Sequence, residues 1–266
     1  MLRDITLGQY IPGTSLLHRL DPRTKILGSI FYIVALFLVD DLSGYLAITA
    51  FSFVLVALSG LPWRYVLRGV RPIFYIVLFT LALNFFLTPG RVVWELGPLK
   101  ATEEGIRLGI FMGWRLILLV LTTSLLTLTS SPIALTDGIE YLLSPFRGIG
   151  VPAHELAMMM TIALRFIPTL LEETDKIMKA QMARGADFET GNIVQRARGM
   201  IPLLVPLFVG AFRRADDLAT AMEARCYRGG VGRTRLRELK FAARDYIALA
   251  VSVLLVAFSL ADRFLY

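Results

Sequence analysis

One cysteine, two histidines and a charged fraction of only 18% exclude several functions before any motif is sought. Cys226 alone permits neither an intramolecular disulfide nor a cysteine-rich metal site, so the redox compartment stays open. His154-Glu155 begins like a zinc H-E-x-x-H helix, but Met158 stands where the second histidine belongs, and His18 is the only other histidine. A metallopeptidase is excluded on those grounds. No G-x-x-x-x-G-K-[ST] phosphate loop occurs, so the chain is not expected to hydrolyse ATP, and no cofactor or metal is expected. The start, MLRDITLGQYIPG, lacks an apolar core after its charges and reads as uncleaved.

What the chain has in abundance is apolar residues: 56% of 266, with a mean hydropathy of +0.63. A soluble domain sits nearer 45 to 50%, so a bilayer is the expected solvent. The net charge of +7 then marks a cytoplasmic face rather than nucleic-acid binding. Five stretches suit spans of about 17 to 20 residues: Ile26 to Val39, Tyr45 to Leu61, Pro72 to Leu87, Ile106 to Thr129 and Tyr246 to Leu260. The fold class expected is all-α and polytopic, with about five transmembrane helices and long amphipathic cytoplasmic helices. Three regions follow: residues 1–129 in the membrane, 130–243 cytoplasmic or interfacial, and 244–266 a last span.

Basic residues orient the chain. Arg3, Arg19, Arg23 and Lys25 keep the N-terminus inside; Asp40 to Gly44 has no base and lies outside; Arg64, Arg68 and Arg71 form an inner loop. The stretch from Thr88 to Gly105, with Arg91 and Lys100 against Glu95, Glu103 and Glu104, lies outside, and Asp262-Arg263 form an external tail. Between Ser130 and Ala243, fifteen Lys and Arg favour the cytoplasm. Two apolar runs there, Leu156 to Leu171 and Ile201 to Phe212, read as interfacial amphipathic helices rather than spans. Arg165 and the neighbouring His154 and Glu155 interrupt the first, and Pro202 and Pro206 the second. Ile162, Phe166, Leu170, Ile177 and Ala180 line one helical face, with Glu172, Glu173, Asp175 and Lys176 elsewhere.

The five spans carry no Asp, Glu or His, and so lack the groups with which a proton- or ion-driven transporter carries its coupling ion. Apart from Arg107 at the edge of the fourth span, Arg115 alone interrupts them, to be buried against a carbonyl or to snorkel outward. Energy must therefore come from another subunit. An ordinary permease forming its own substrate pathway is the alternative, but beyond Asn84, Arg115 and scattered Ser and Thr the spans offer little polar lining. A membrane-bound enzyme lacks its acid, base and metal groups.

One pattern occurs twice. Residues 175 to 185 read DKIMKAQMARG and residues 216 to 226 read DDLATAMEARC. Gly185 can end the first helix in a left-handed conformation, and Gly229-Gly230 can end the second one turn after Arg225. Flanking alanines leave each guanidinium clear to form a forked bond with a partner's carboxylate. Two solvated helix ends with favourable terminal cations would look the same.

At this point the sequence resembles the EcfT transmembrane component of energy-coupling-factor transporters, a branch of the ATP-binding-cassette importers. SLLHRLDPRTKIL, LTLTSSPIALTDGIEYLLSPF, ALRFIPTLLEETDKIMKAQMARGADF and PLFVGAFRRADDLATAMEARCYRGG carry the resemblance. It implies two coupling helices ending at Ala183-Arg184-Gly185 and Ala224-Arg225-Cys226, with Cys226 departing from the family's glycine. It further implies two ATP-binding-cassette ATPases as partners, a membrane-embedded S component that binds the vitamin or other micronutrient, and no catalytic residues in this chain. The location implied is a bacterial or archaeal cell (inner) membrane, multi-pass, with the N-terminus cytoplasmic. Met158, Met159, Met160, Ile162, Leu203, Leu204 and Leu207 are candidates for the S-component surface, and would serve equally as core.

Overall fold

The computed structural model describes residues 10–96, 99–186, 188, 192–230 and 239–265. Arg3 and the start of the chain lie outside these residues, as do the side chains of Glu95 and Lys100. Nine α-helices are present among the described residues: α1 Pro22–Leu38, α2 Leu42–Ser59, α3 Trp63–Leu87, α4 Glu103–Thr129, α5 Pro132–Leu143, α6 Ala153–Ala183, α7 Ile193–Gly199, α8 Ile201–Ala224 and α9 Ala243–Leu265. The expected helical class holds, with one addition. Between α3 and α4 a short antiparallel hairpin pairs β1 Val92–Leu96 with β2 Leu99–Thr102, where a plain loop was expected.

Among the described residues, five helices are long and apolar enough to cross a membrane: α2, α3, α4, α6 and α9. Four coincide with expected spans, and the fifth is α6, the 31-residue helix that absorbs the Leu156 to Leu171 run. The remaining expected span, α1, has 17 residues, or ~26 Å of rise, at the short limit for a bilayer core. Some boundaries also move. Arg64, Arg68 and Arg71 are not in a loop, because α3 begins at Trp63 and continues through Pro72 as an internal proline. Asp262 and Arg263 are not a free tail, because α9 runs to Leu265.

The chain divides into two compact units, one from the described residues of Gly8–Ile139 and Arg237–Tyr266, the other from those of Glu140–Leu236. In the first, α3 packs chiefly on α4 and α1 on α9. The α3–α4 contact is close because Gly105, Gly109 and Gly113, spaced by four on α4, face Asn84, Leu81 and Val77. A Cβ on Gly105 would stand 2.5 Å from the Asn84 carbonyl oxygen. Small residues at that spacing let two membrane helices approach backbone to backbone.

The N-terminal ends of α1 and α9 are clasped together. Asp21 caps α1 by accepting from Arg23 N–H at 2.9 Å, with Pro22 at the first turn, where no N–H is needed. Asp245, fully buried, accepts from Asp21 N–H and from Ala242 N–H, both at 2.8 Å. Arg23 donates to the Leu239 carbonyl at 2.8 Å and lies over the Phe241 ring. Lys25 donates to the Thr129 carbonyl at 2.9 Å, which adds the end of α4. Arg115 takes the first of its two expected roles. It donates to the Val39 carbonyl at 2.8 Å, just past α1, with its guanidinium over Phe37 and Tyr45.

In the second unit α6 packs on α8. Both helices end in the same way. Arg184 is the C-cap of α6, Gly185 follows at φ +86°, Gly185 N–H bonds to Met182 O and Ala186 N–H to Gln181 O. Arg225 is the C-cap of α8, Cys226 follows at φ +55°, Cys226 N–H bonds to Glu223 O and Tyr227 N–H to Met222 O. Each is a Schellman motif, which uses the last orphan carbonyls of its helix. The Gly229-Gly230 stop expected for α8 is therefore corrected: the helix ends at Ala224, and Cys226 itself takes the left-handed position.

Two outcomes follow. Asp245→Ala should lower the thermal midpoint of the detergent-purified chain, at a cost of about 2–4 kcal/mol for two abandoned buried N–H groups, and an unchanged midpoint would refute the clasp. Cys226→Gly should slow hydrogen exchange in the last turn of α8, because left-handed backbone costs a side-chain-bearing residue about 1–2 kcal/mol; Cys226→Val should speed it.

Candidate functional site: two arginine-tipped helix ends

The two helix ends are built alike and stand in solvent. Ala183, Arg184 and Gly185 are exposed, as are Ala224, Arg225 and Cys226. Among the described residues neither arginine side chain has an ion pair or hydrogen bond. Each guanidinium thus presents its whole donor fork outward, at the carbonyl-rich end of a helix where a cation is favoured.

The helices are joined where Arg214 of α8 meets Glu173 of α6 at 2.6 Å. These residues are 41 apart, the same offset that separates Arg184 from Arg225, so they occupy equivalent positions in the repeat. Nearby on α8, Gly210 lies under the Glu173 carboxylate, and a Cβ there would meet Oε1 at 2.9 Å. Gln181 Nε2 approaches the Pro202 carbonyl at 3.5 Å. Moving back along α6 from 181 to 173 therefore means moving forward along α8 from 202 to 214. The helices cross in opposite senses and their arginine ends point apart. Each arginine stands about three turns, ~16 Å, beyond the ion-pair residue of its own helix.

The methionine and leucine candidates are divided by the structure. Met159 and Leu204 are exposed, Met158, Met160, Ile162 and Leu207 are half-buried, and Leu203, 9% exposed, belongs to the core. The more continuous apolar surface is on α8, where Ile201, Leu204, Val205, Phe208 and Phe212 are all exposed, Phe212 at 70%. Their spacing by three and four places them on one helical face. That spacing is present in the Ile201 to Phe212 run, and reading the run as a face rather than a length would have found Val205, Phe208 and Phe212.

The CbiQ family, described as a cobalt transport protein, matches residues 13–236. The energy-coupling factor transporter transmembrane protein EcfT of Thermosediminibacter oceani is 61% identical over 265 residues, 100% of both chains. The protein of that name from Clostridium kluyveri is 56% identical over 267 residues, covering 99% of this chain and 98% of its own. That of Bacillus subtilis is 47% identical over 258 residues, covering 97% of each. With such relatives and five apolar helices, this is a multi-pass membrane protein. The chain belongs to the CbiQ family and, within it, to the energy-coupling factor transporter transmembrane proteins named EcfT.

Proposed function

We propose that this chain is the non-catalytic transmembrane scaffold of an ATP-binding-cassette importer for a vitamin or other micronutrient, and that it carries movement from two ATPases to a separate S component. The observation that carries the reading is the pair of exposed, identically capped arginine ends on crossing helices. Two like ends suit two like grooves, as on a nucleotide-binding dimer. In each groove a carboxylate accepts the forked guanidinium bond, and loss of water around the pair strengthens it.

Residues 1–129 and 244–266 anchor the scaffold in the cell membrane with the N-terminus cytoplasmic. Residues 130–243 form the interfacial coupling region. In that placement α6 lies along the interface although its apolar half is long enough to cross. Arg165 sits in that half, and Glu172, Asp175, Lys176 and Lys179 follow in the other. The apolar face of α8, with Met159 of α6, receives the S component. When ATP binding or release shifts the two arginine ends, the crossing at Glu173–Arg214 shifts with them. The S-component surface is re-angled, and the S component topples to release its cargo inside.

Purification of the tagged chain from its own membranes, followed by mass spectrometry, should recover two ATP-binding-cassette ATPases and one or more small hydrophobic proteins. Recovery of the chain alone after crosslinking would overturn the reading. Arg184→Ala or Arg225→Ala should each weaken ATPase binding roughly a hundredfold, since stripping one partner from a desolvated charge pair costs about 3 kcal/mol or more. The double variant should recover no ATPase while still inserting in the membrane. Phe208→Asp with Phe212→Asp should have the complementary effect, releasing the small hydrophobic protein and retaining the ATPases; retention of both would discount this face of α8.

A further inference from the structure

The Arg225 end has a tether for which the Arg184 end shows no counterpart among the described residues. His154, in the first turn of α6, is enclosed on three sides. Its Nδ1 lies 3.0 Å from Oε1 of Glu140, near the end of α5, and its Nε2 lies 3.1 Å from the hydroxyl of Tyr227, two residues past Arg225. On the third side the backbone of Gly230 is so close that a Cβ there would stand 2.6 Å from the ring's Cδ2. The Glu140 and His154 side chains are only 8% and 13% exposed.

Nδ1 is paired with the Glu140 carboxyl and Nε2 with the Tyr227 hydroxyl, so both ring nitrogens are engaged and the tautomer decides which partner donates. A chain of this kind polarises along its length and holds each member in one orientation. Tyr227 is also the residue whose N–H reaches back to the Met222 carbonyl to close the α8 cap. Fixing its side chain fixes the cap, including the left-handed Cys226 between it and Arg225.

We propose that His154 is a positioning residue for Arg225: with Glu140 and Tyr227 it braces the Arg225-bearing helix end to the root of α6, so that one ATPase engages an end held by side chains beyond its own helix. This rests on the reading of Arg225 as an ATPase contact. Displacement of Arg225 is passed through Tyr227 and His154 directly to the first turn of α6 and to Glu140. Displacement of Arg184 reaches the rest of the unit along α6 itself. The two chemically similar ends then serve different mechanical roles.

A thermodynamic cycle separates positioning from general weakening, because residues that act together are non-additive and independent ones add. The full-length chain in lipid nanodiscs is titrated with its purified ATPase pair, with His154→Ala introduced into wild-type, Arg184→Ala and Arg225→Ala backgrounds. Tyr227→Phe, which removes one hydroxyl and keeps the ring packed, is carried in parallel. In the wild-type and Arg184→Ala backgrounds, His154→Ala and Tyr227→Phe are each expected to weaken binding about tenfold. In the Arg225→Ala background neither should change it. An equal loss in all three backgrounds, or no loss in any, overturns the brace while leaving the docking assignment intact. Unaltered binding in Arg184→Ala and Arg225→Ala themselves overturns the docking assignment, and the brace with it.

Discussion

Hydrocarbon satisfies no charge and no backbone donor, and that constraint decides where every polar group of this chain is placed. Within the spans the polar side chains mostly turn inward on their own helix: Thr49, Ser52, Thr123 and Ser252 each donate to the carbonyl one turn back. The charges of the first unit collect mostly at helix ends, with Arg115 of α4 reaching the carbonyl just past α1. Asp245 is the clearest case, since a fully buried carboxylate survives only if its acceptor capacity is used. It is used by two backbone N–H groups that the starts of α1 and α9 would otherwise leave orphaned. The clasp therefore solves two problems with one side chain, the desolvated carboxyl group and the remaining orphan N–H at each helix start. Arg23 and Lys25 take up neighbouring carbonyls in the same way.

In the α6–α8 unit the constraint is one of symmetry. Two copies of one helical pattern that cross in opposite senses bring face to face the equivalent positions at the crossing point, as positions on the axis of an isologous interface are. A strict repeat would then set like charge against like charge. The chain avoids this by carrying Glu173 in the first copy and Arg214 at the equivalent place in the second, so that equivalence itself makes the pair. Gly210 beside it admits the carboxylate without a side chain in the way.

Much of this was legible in the sequence because it depends on local chemistry. The spans follow from apolar runs, the doubled arginine from the repeat, and the Gly185 stop from glycine's tolerance of positive φ. What was missed depends on contacts between distant residues. The Gly105, Gly109 and Gly113 stripe resembles ordinary apolar filler until α3 lies against it. Asp21 and Asp245 are 224 residues apart, and no period links them. Cys226 misled for a different reason. Its intrinsic preference argues for a stop further on, at Gly229, but the cap hydrogen bonds of the α8 end impose the left-handed conformation on a residue that does not favour it. A boundary read from propensity alone is overridden there by closure of the helix.

Magnitudes then say which parts of the α6–α8 unit can move. The Glu173 and Arg214 side chains are 26% and 36% exposed, so their attraction is screened by water and is worth no more than about 1 kcal/mol. It selects the register at which the helices cross, but does not lock them together. The capped ends are the opposite case, each closed by two backbone bonds within its own last turn. In the function proposed for this chain, rigid ends joined through a weakly held crossing act as a lever, because displacement applied at an end is transmitted by the helix and absorbed where resistance is least. Were the stiffness reversed, with frayed ends and a locked crossing, the same displacement would melt the terminal turns and never reach the apolar face of α8.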